Sequence, residues 1–296
     1  MKHQLITSLT VLLLLVSGSF YHAMAQDDLM NLLNSTEEKD EGIVTATFKG
    51  TRLLNGHSVE TRSKHSLEFV IGHRFGRIND GISQLYGLDQ AFVRFALEYG
   101  VTDDLYVGFG RSSFGKALDG FVKYRVLKQS NTMPFTLTGF SSIVVDTQEL
   151  PPDSREEQDF KLRLDYTYQL LLARKFNSEF SLQVMPTLVH RNLAPGVEDN
   201  DVFILGAGAR YKLTNRLAID VEYYHQLRDL PEDIENALAV GLEIETGGHV
   251  FQLIFSNAVQ MNEKGFLTET SGKFFDGDIH FGFNISRVFN LKPQRN

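Results

Sequence analysis

The chain has 296 residues, no cysteine and no tryptophan, and 29 Lys+Arg against 37 Asp+Glu for a formal net charge of −8. The missing cysteines exclude a disulfide framework, a thiolate metal site and a lipid anchor on a Cys after a leader. The acidic balance argues against nucleic acid as a partner.

Lys2, the apolar run Leu5 to Val16 and the small-x-small triplet Ala23-Met24-Ala25 read as a secretory signal over residues 1–25. The apolar run is shorter than the ~20 residues of a spanning helix. Cleavage before Gln26 removes one basic residue, leaving 28 Lys+Arg against 37 Asp+Glu and a charge of −9. Residues 26–42 are acidic and polar and read as a mobile lead-in.

Beyond Gln26 the pattern is one of strict alternation. Leu217, Ile219, Val221 and Tyr223 alternate with Ala218, Asp220, Glu222 and Tyr224. Ile279, Phe281, Phe283 and Ile285 alternate with His280, Gly282, Asn284 and Ser286. A period of two is a strand with one apolar and one polar face, whereas a helix would scatter these residues around its circumference. Such segments fall at 65–73, 91–100, 104–110, 118–127, 134–144, 160–174, 179–190, 202–212, 216–226, 236–245, 249–256 and 278–289. About twelve strands, an even number, predict an all-β chain closed into an antiparallel up-and-down transmembrane barrel over residues 65–290.

The connections alternate in length. Turns near 101–103, 128–133, 175–178, 213–215 and 246–248 are short, and loops near 74–90, 111–117, 145–159, 191–201, 227–235 and 257–277 are long and polar. Outer-membrane barrels keep short turns in the periplasm and long loops outside, whereas a Greek-key sandwich has no reason for strict alternation. Parity then leaves one strand-like segment over, 43–54, which turns at Asn55-Gly56. As a thirteenth barrel strand it would start the chain outside the cell, so residues 26–64 are expected either to stay in the periplasm or to plug the lumen. Without tryptophan, the interfacial girdle falls to the 10 Tyr and 23 Phe, with Tyr99, Tyr106, Tyr124, Tyr211, Phe176 and Phe180 near the short turns, the alternative being that some of these point inward as filling.

Several segments together resemble one family. They include Thr47-Phe48-Lys49-Gly50-Thr51-Arg52 with Asn55-Gly56-His57-Ser58, His73-Arg74-Phe75-Gly76, Gly87-Leu88-Asp89, Tyr99-Gly100-Val101-Thr102, Gly110-Arg111-Ser112-Ser113-Phe114, Lys123-Tyr124-Arg125 and His190-Arg191-Asn192. Thr246-Gly247-Gly248-His249-Val250-Phe251-Gln252 and Gly282-Phe283-Asn284-Ile285-Ser286-Arg287-Val288-Phe289 complete the set. The pattern, from about residue 43 to 290, is similar to the Bacteroidota outer-membrane β-barrels of domain of unknown function 5777. The resemblance implies an outer-membrane barrel and no activity, substrate or catalytic residue.

Chemistry-bearing motifs are scarce. Gly110 to Ala117 nearly spells a P-loop, but Ala117 replaces the Mg²⁺-binding Ser or Thr and a strand follows where a helix should open. His280 and Ser286 are roughly 20 Å apart along an extended strand, too far for a catalytic pair, and no Gly-x-Ser-x-Gly elbow occurs. Acidic loops at 146–159, 198–201 and 229–235 match no calcium loop and read as solvated charge.

The polar strand faces carry the candidate site. Arg94, Lys123, Arg125, Lys161 and Arg163 are expected to point inward, diluted by Glu98 and Asp165, and Asp220, Glu222 and Glu243 to face them. Walls of opposite sign would set a field across the lumen and select ions. The same groups could instead pair, Arg210 with Asp220 being one candidate. Two functions follow: a passive or weakly selective channel for small solutes, or a non-conducting scaffold barrel that binds a partner through its loops or N-terminal segment. An outer-membrane hydrolase is a distant third. The expected partners are outer-membrane lipid and the barrel-assembly machinery. No cofactor and no metal are implied.

Overall fold

In the computed structural model, residues 42–149, 159–193, 199–228 and 231–291 are described. The expected signal and all of the 26–42 lead-in except Gly42 fall outside them, as does most of the acidic loop before Asp159. Residues from Ala46 onward form one compact unit.

Twelve strands run in chain order: β1 Ser66–Arg77, β2 Ala91–Gly100, β3 Leu105–Ser112, β4 Leu118–Leu127, β5 Thr136–Val145, β6 Leu164–Lys175, β7 Phe180–Arg191, β8 Asp201–Lys212, β9 Leu217–Gln226, β10 Ala237–Thr246, β11 His249–Ser256 and β12 His280–Asn290. Each pairs antiparallel with its neighbour in sequence, and β12 returns to β1 to close the barrel. Closure satisfies every strand edge internally, the condition for sheet structure in a hydrocarbon phase. The long loop after β11 carries a short helix, α1 Glu263–Thr268. Short turns gather at one end of the barrel and long loops at the other, and both β1 and β12 have their outer chain ends on the short-turn side.

The polar face of each strand is the buried one. On β9, Asp220 and Glu222 are each 1% exposed, while Val221 and Tyr223 are 38% and 40% exposed. A soluble sandwich would show the reverse. Here the apolar side chains form the outer surface, as a membrane barrel requires, and the polar ones face a lumen that is filled. Phe69 stacks on Phe95, and Phe75 on Phe281, along that outer surface.

Two strands differ from the pattern's expectation. β6 begins at Leu164, because Phe160–Arg163 form a 3-10 turn capped by the Asp159 carboxylate, which accepts from the Lys161 amide. β1 continues to Arg77 through a bulge that places one extra residue between Arg74 and Arg77 opposite Gly282 and His280. The β6–β7 ladder is also interrupted between Gln169↔Thr187 and Leu172↔Val184, where Pro186 brings no N–H. Among the girdle candidates, Tyr124, Tyr211 and Phe176 are exposed on the outer surface, but Tyr106 is completely buried inside the barrel. Its hydroxyl serves two lumen carboxylates, which a period-two pattern cannot foresee.

The phase of β9 gives a test. Val221 lies mid-strand, so Val221→Arg should destabilise the folded barrel by roughly 2–4 kcal/mol, whereas Phe281→Arg, beside the strand end, should cost about 0–1 kcal/mol. Urea unfolding in lipid vesicles measures both. Equal costs would mean that depth in the membrane does not govern this wall.

Candidate functional site

The lumen is filled by two chain segments arriving from opposite ends. From the short-turn end, the residues before β1 fold back as a hairpin. Arg52 and His57 form a β-bridge, Leu53 N donates to Gly56 O at 2.8 Å, and Ser58 N donates to Thr51 O at 3.0 Å. From the long-loop end, the β11–β12 loop turns inward and buries α1, including Phe266 and Leu267.

A chain inside a barrel has no neighbouring strand for its backbone groups, so inward side chains must satisfy them. The tip of the hairpin docks on Glu222, whose carboxylate accepts the N–H groups of Leu54, Asn55 and Gly56 at 3.3, 2.7 and 3.2 Å. Gln183 pairs like a strand, accepting from Val59 N and donating to His57 O, both at 2.8 Å. Asn284 donates to Leu54 O at 2.7 Å, and Gln252 donates to Leu53 O. Lys123 donates to the carbonyls of Thr51 and Ser58, each at 3.1 Å, and Thr138 to that of Val59. Arg74 holds the Asn55 side chain at 2.8 Å.

Charge complements this docking. Arg62 of the incoming segment grips Glu68 of β1 through two hydrogen bonds, 2.8 and 2.7 Å long. The Tyr106 hydroxyl stands 2.7 Å from Glu68 and 2.9 Å from Glu98, able to donate to one at a time. Apolar packing completes the seat: Phe48, Leu53 and Val59 join Tyr106, Phe121, Phe140, Leu171 and Met185 of the wall in one buried cluster that extends to Phe266 and Leu267. Gly208 leaves room there, since a Cβ on it would come within 2.4 Å of the Leu53 Cδ1 and force that methyl to shift.

The two inserted segments meet at Arg52. Its guanidinium lies 3.3 Å from Glu263 of α1 and 3.5 Å from Glu98 of β2. His57, with its ring between Phe121 and Phe140, also approaches Glu263 at 3.3 Å. Burial, and then the nearby charge of Arg52, hold the His57 imidazole well below its ordinary pKa, so it is neutral and Arg52 carries the ionic contact.

The residues expected to line the lumen are therefore distributed as follows. Arg94 pairs with Asp119 in a two-bond ion pair. Glu98 faces Arg52 and Tyr106, and Lys123 and Glu222 hold the hairpin. Arg125 lies at the short-turn rim, bonded to Asp104 at 3.0 Å and 3.6 Å from Glu60. Arg210 binds Glu243, at 3.0 and 2.8 Å, rather than its cross-strand neighbour Asp220. The carboxylate of Asp220 keeps one oxygen, Oδ2, without a hydrogen bond. Lys161 and Arg163 are not lumen residues. They belong to the 3-10 turn before β6, where Lys161 is exposed and Arg163 donates to Gln148 O at 2.6 Å. The contacting residues outside the expected lumen set are Arg52, Glu68, Arg74, Gln183, Gln252, Asn284 and Glu263. For Gln183, Gln252 and Asn284 the sequence signal was a neutral amide at an inward position, which suits a backbone better than an open pore.

The sequence matches the family model described as membrane bound β-barrel domain DUF5777 over residues 48–289. The chain belongs to this family. Among solved structures, it is similar to a NanC porin at 9% identity, covering 76% of this chain and 100% of that one, with a TM-score of 0.46. The COG4313 outer membrane channel of Pseudomonas putida F1 matches at 13% identity, 77% and 97% coverage and TM-score 0.44. Outer membrane phospholipase A of Escherichia coli matches at 10%, 84% and 98% coverage and TM-score 0.43. No curated protein matches.

Glu222 is the anchor to test. Its replacement by Gln keeps one acceptor oxygen of two, and Glu222→Ala leaves three buried N–H groups unpaired, so inward placement does not make this position tolerant. Glu222→Ala should cost about 3 kcal/mol of hairpin docking. Hydrogen exchange of the 54–56 amides should accelerate while the β-strand amides stay protected. Unchanged exchange at the tip would remove Glu222 from the anchoring role.

Proposed function

We propose that the protein is an outer-membrane barrel closed to solutes in its resting fold, exported by a cleaved N-terminal signal, and not an enzyme. The observation that carries this reading is the meeting of the hairpin and the β11–β12 loop at Arg52 and Glu263 in mid-lumen. The charges expected to select ions are engaged with one another or with the hairpin backbone, so they are not arrayed along a water column. A constitutively open pore would leave them solvated. The exposed long loops and the N-terminal segment are the parts offered to a partner.

The polar wall favours a second reading beside the scaffold. If the hairpin were withdrawn, Arg74, Lys123, Glu68, Glu222, Gln183 and Gln252 would line the vacated space and hydrate readily. A gated small-solute channel is thus built from the same parts as the closed barrel.

Planar-bilayer recording and liposome swelling on refolded protein separate these readings. The wild type is expected to show no steady conductance, and steady wild-type conductance would overturn the closed resting state. The double variant Glu222→Ala/Arg52→Ala, which loosens tip and latch, should show intermittent openings if the barrel is a gated channel. Silence in that variant, with exchange data proving the hairpin loosened, selects the scaffold.

A further inference from the structure

A cavity of 390 Å³ opens at the long-loop end, above the filled lumen. Its floor is the β11–β12 loop, and its walls come from β1, β2, β12 and the β1–β2 and β3–β4 loops. The volume lies in the range of small-molecule sites, roughly 300–1,000 Å³, at the small end.

The β1 bulge builds this cavity. Up to Phe75, odd-numbered residues of β1 face outward and even-numbered ones inward, which would send Arg77 toward the lipid. The extra residue between Arg74 and Arg77 reverses the phase and sets Arg77 opposite His280. Cross-strand partners share a face, so Arg77 is turned to the inner side with His280, and both line the cavity. Bulges are recurrent devices for re-aiming a side chain beside a site.

The same bulge sets the state of His280. Its Nδ1 lies 2.8 Å from the carbonyl of Phe75. A carbonyl only accepts, so Nδ1 carries the proton, and in the neutral ring Nε2 is left as an acceptor. Arg77 is oriented from the other side by Ser271 Oγ at 3.1 Å and by Asp278 at 3.6 Å. Phe92 and Phe114 meet edge to face, with centroids 5.1 Å apart, and supply an apolar wall. Gln90 adds an exposed amide, and Gln260, whose Nε2 donates to Glu269 at 2.6 Å, adds a fixed one. Of the charges lining the cavity, Arg77 is offset by Asp278 and Glu269 by Lys264, and Asp80 adds a further carboxylate.

We infer that this cavity is a binding site for a small neutral polyhydroxylated molecule of the sugar type. A ligand with hydroxyls satisfies donors and acceptors together, as Arg77, His280 Nε2 and the amides demand, while its C–H face covers the Phe92–Phe114 wall. An anion would find no uncompensated countercharge, since Arg77 is paired with Asp278, and the Asp80 carboxylate adds an acceptor for a ligand hydroxyl. This inference goes beyond the closed-barrel reading and holds whether or not the hairpin ever moves.

Saturation-transfer NMR on the refolded full chain in detergent tests it, using methyl glucoside, choline and acetate as separate probes. Methyl glucoside should give a saturable signal from its ring protons, and Phe92→Ala and Gln90→Ala should each weaken it by about tenfold. Gln90 is exposed, so its variant tests the site without endangering the fold. Phe203→Ala, on the outer surface, should leave the signal unchanged. Absence of saturable glucoside binding overturns the assignment, as does binding that neither cavity variant weakens. Saturable binding of choline or acetate without glucoside overturns the polyol class in favour of an ionic ligand.

Discussion

Each strand of a closed barrel turns every second side chain toward a space that is narrow and shielded from bulk water. Polar groups there must find partners, because a buried donor or acceptor without one costs ~1–3 kcal/mol. In this protein the partners are supplied by two other pieces of the chain. The Glu222 carboxylate and the backbone N–H groups of Leu54, Asn55 and Gly56 solve the same problem for each other. Neither could be buried alone. The hairpin has no free strand edge to pair with, and the wall has no water to hydrate its carboxylate.

Hydrophobic packing then converts this polar match into a fixed position. Phe48, Leu53 and Val59 enter a cluster with inward aromatic and aliphatic residues of several strands, so the barrel has an interior core as well as an apolar exterior. Withdrawal of the hairpin would expose that core and unpair the wall groups at once. Any opening of the lumen is therefore a cooperative event, and the Arg52 contact with Glu263 ties it to the loop at the far end. The segments from the two mouths are thus joined by this ion pair and by the apolar cluster that reaches Phe266 and Leu267.

The two ends are built differently for a related reason. At the short-turn end the chain runs directly from the hairpin into β1, and Thr61 and Lys64 bond to Asp103 of the first short turn at 2.7 and 2.9 Å. At the long-loop end the loop dips inward without closing over, and the bulge before Arg77 shapes a vestibule above it.

The sequence by itself determined the strand count, the alternation of short and long connections, the closure parity and the inward phase of Arg94, Lys123, Glu222 and Glu243. Each depends on local chain geometry, since a period of two and a turn residue are readable within a few positions. It also left 43–54 over as an unplaced strand-like segment turning at Asn55-Gly56. Tertiary structure decided the rest. Arg210 faces Asp220 across the ladder yet binds Glu243 from the next strand over, and Tyr106 turns inward where an interfacial position was expected. The sequence pattern carried Lys161 and Arg163 into the strand, but Asp159 caps the start of a 3-10 turn that gives way to β6 only at Leu164. Partners at separations such as Leu54 with Glu222, or Arg52 with Glu263, leave no periodic trace in the chain. They come together only when the barrel closes around them, because closure is what deprives those groups of water.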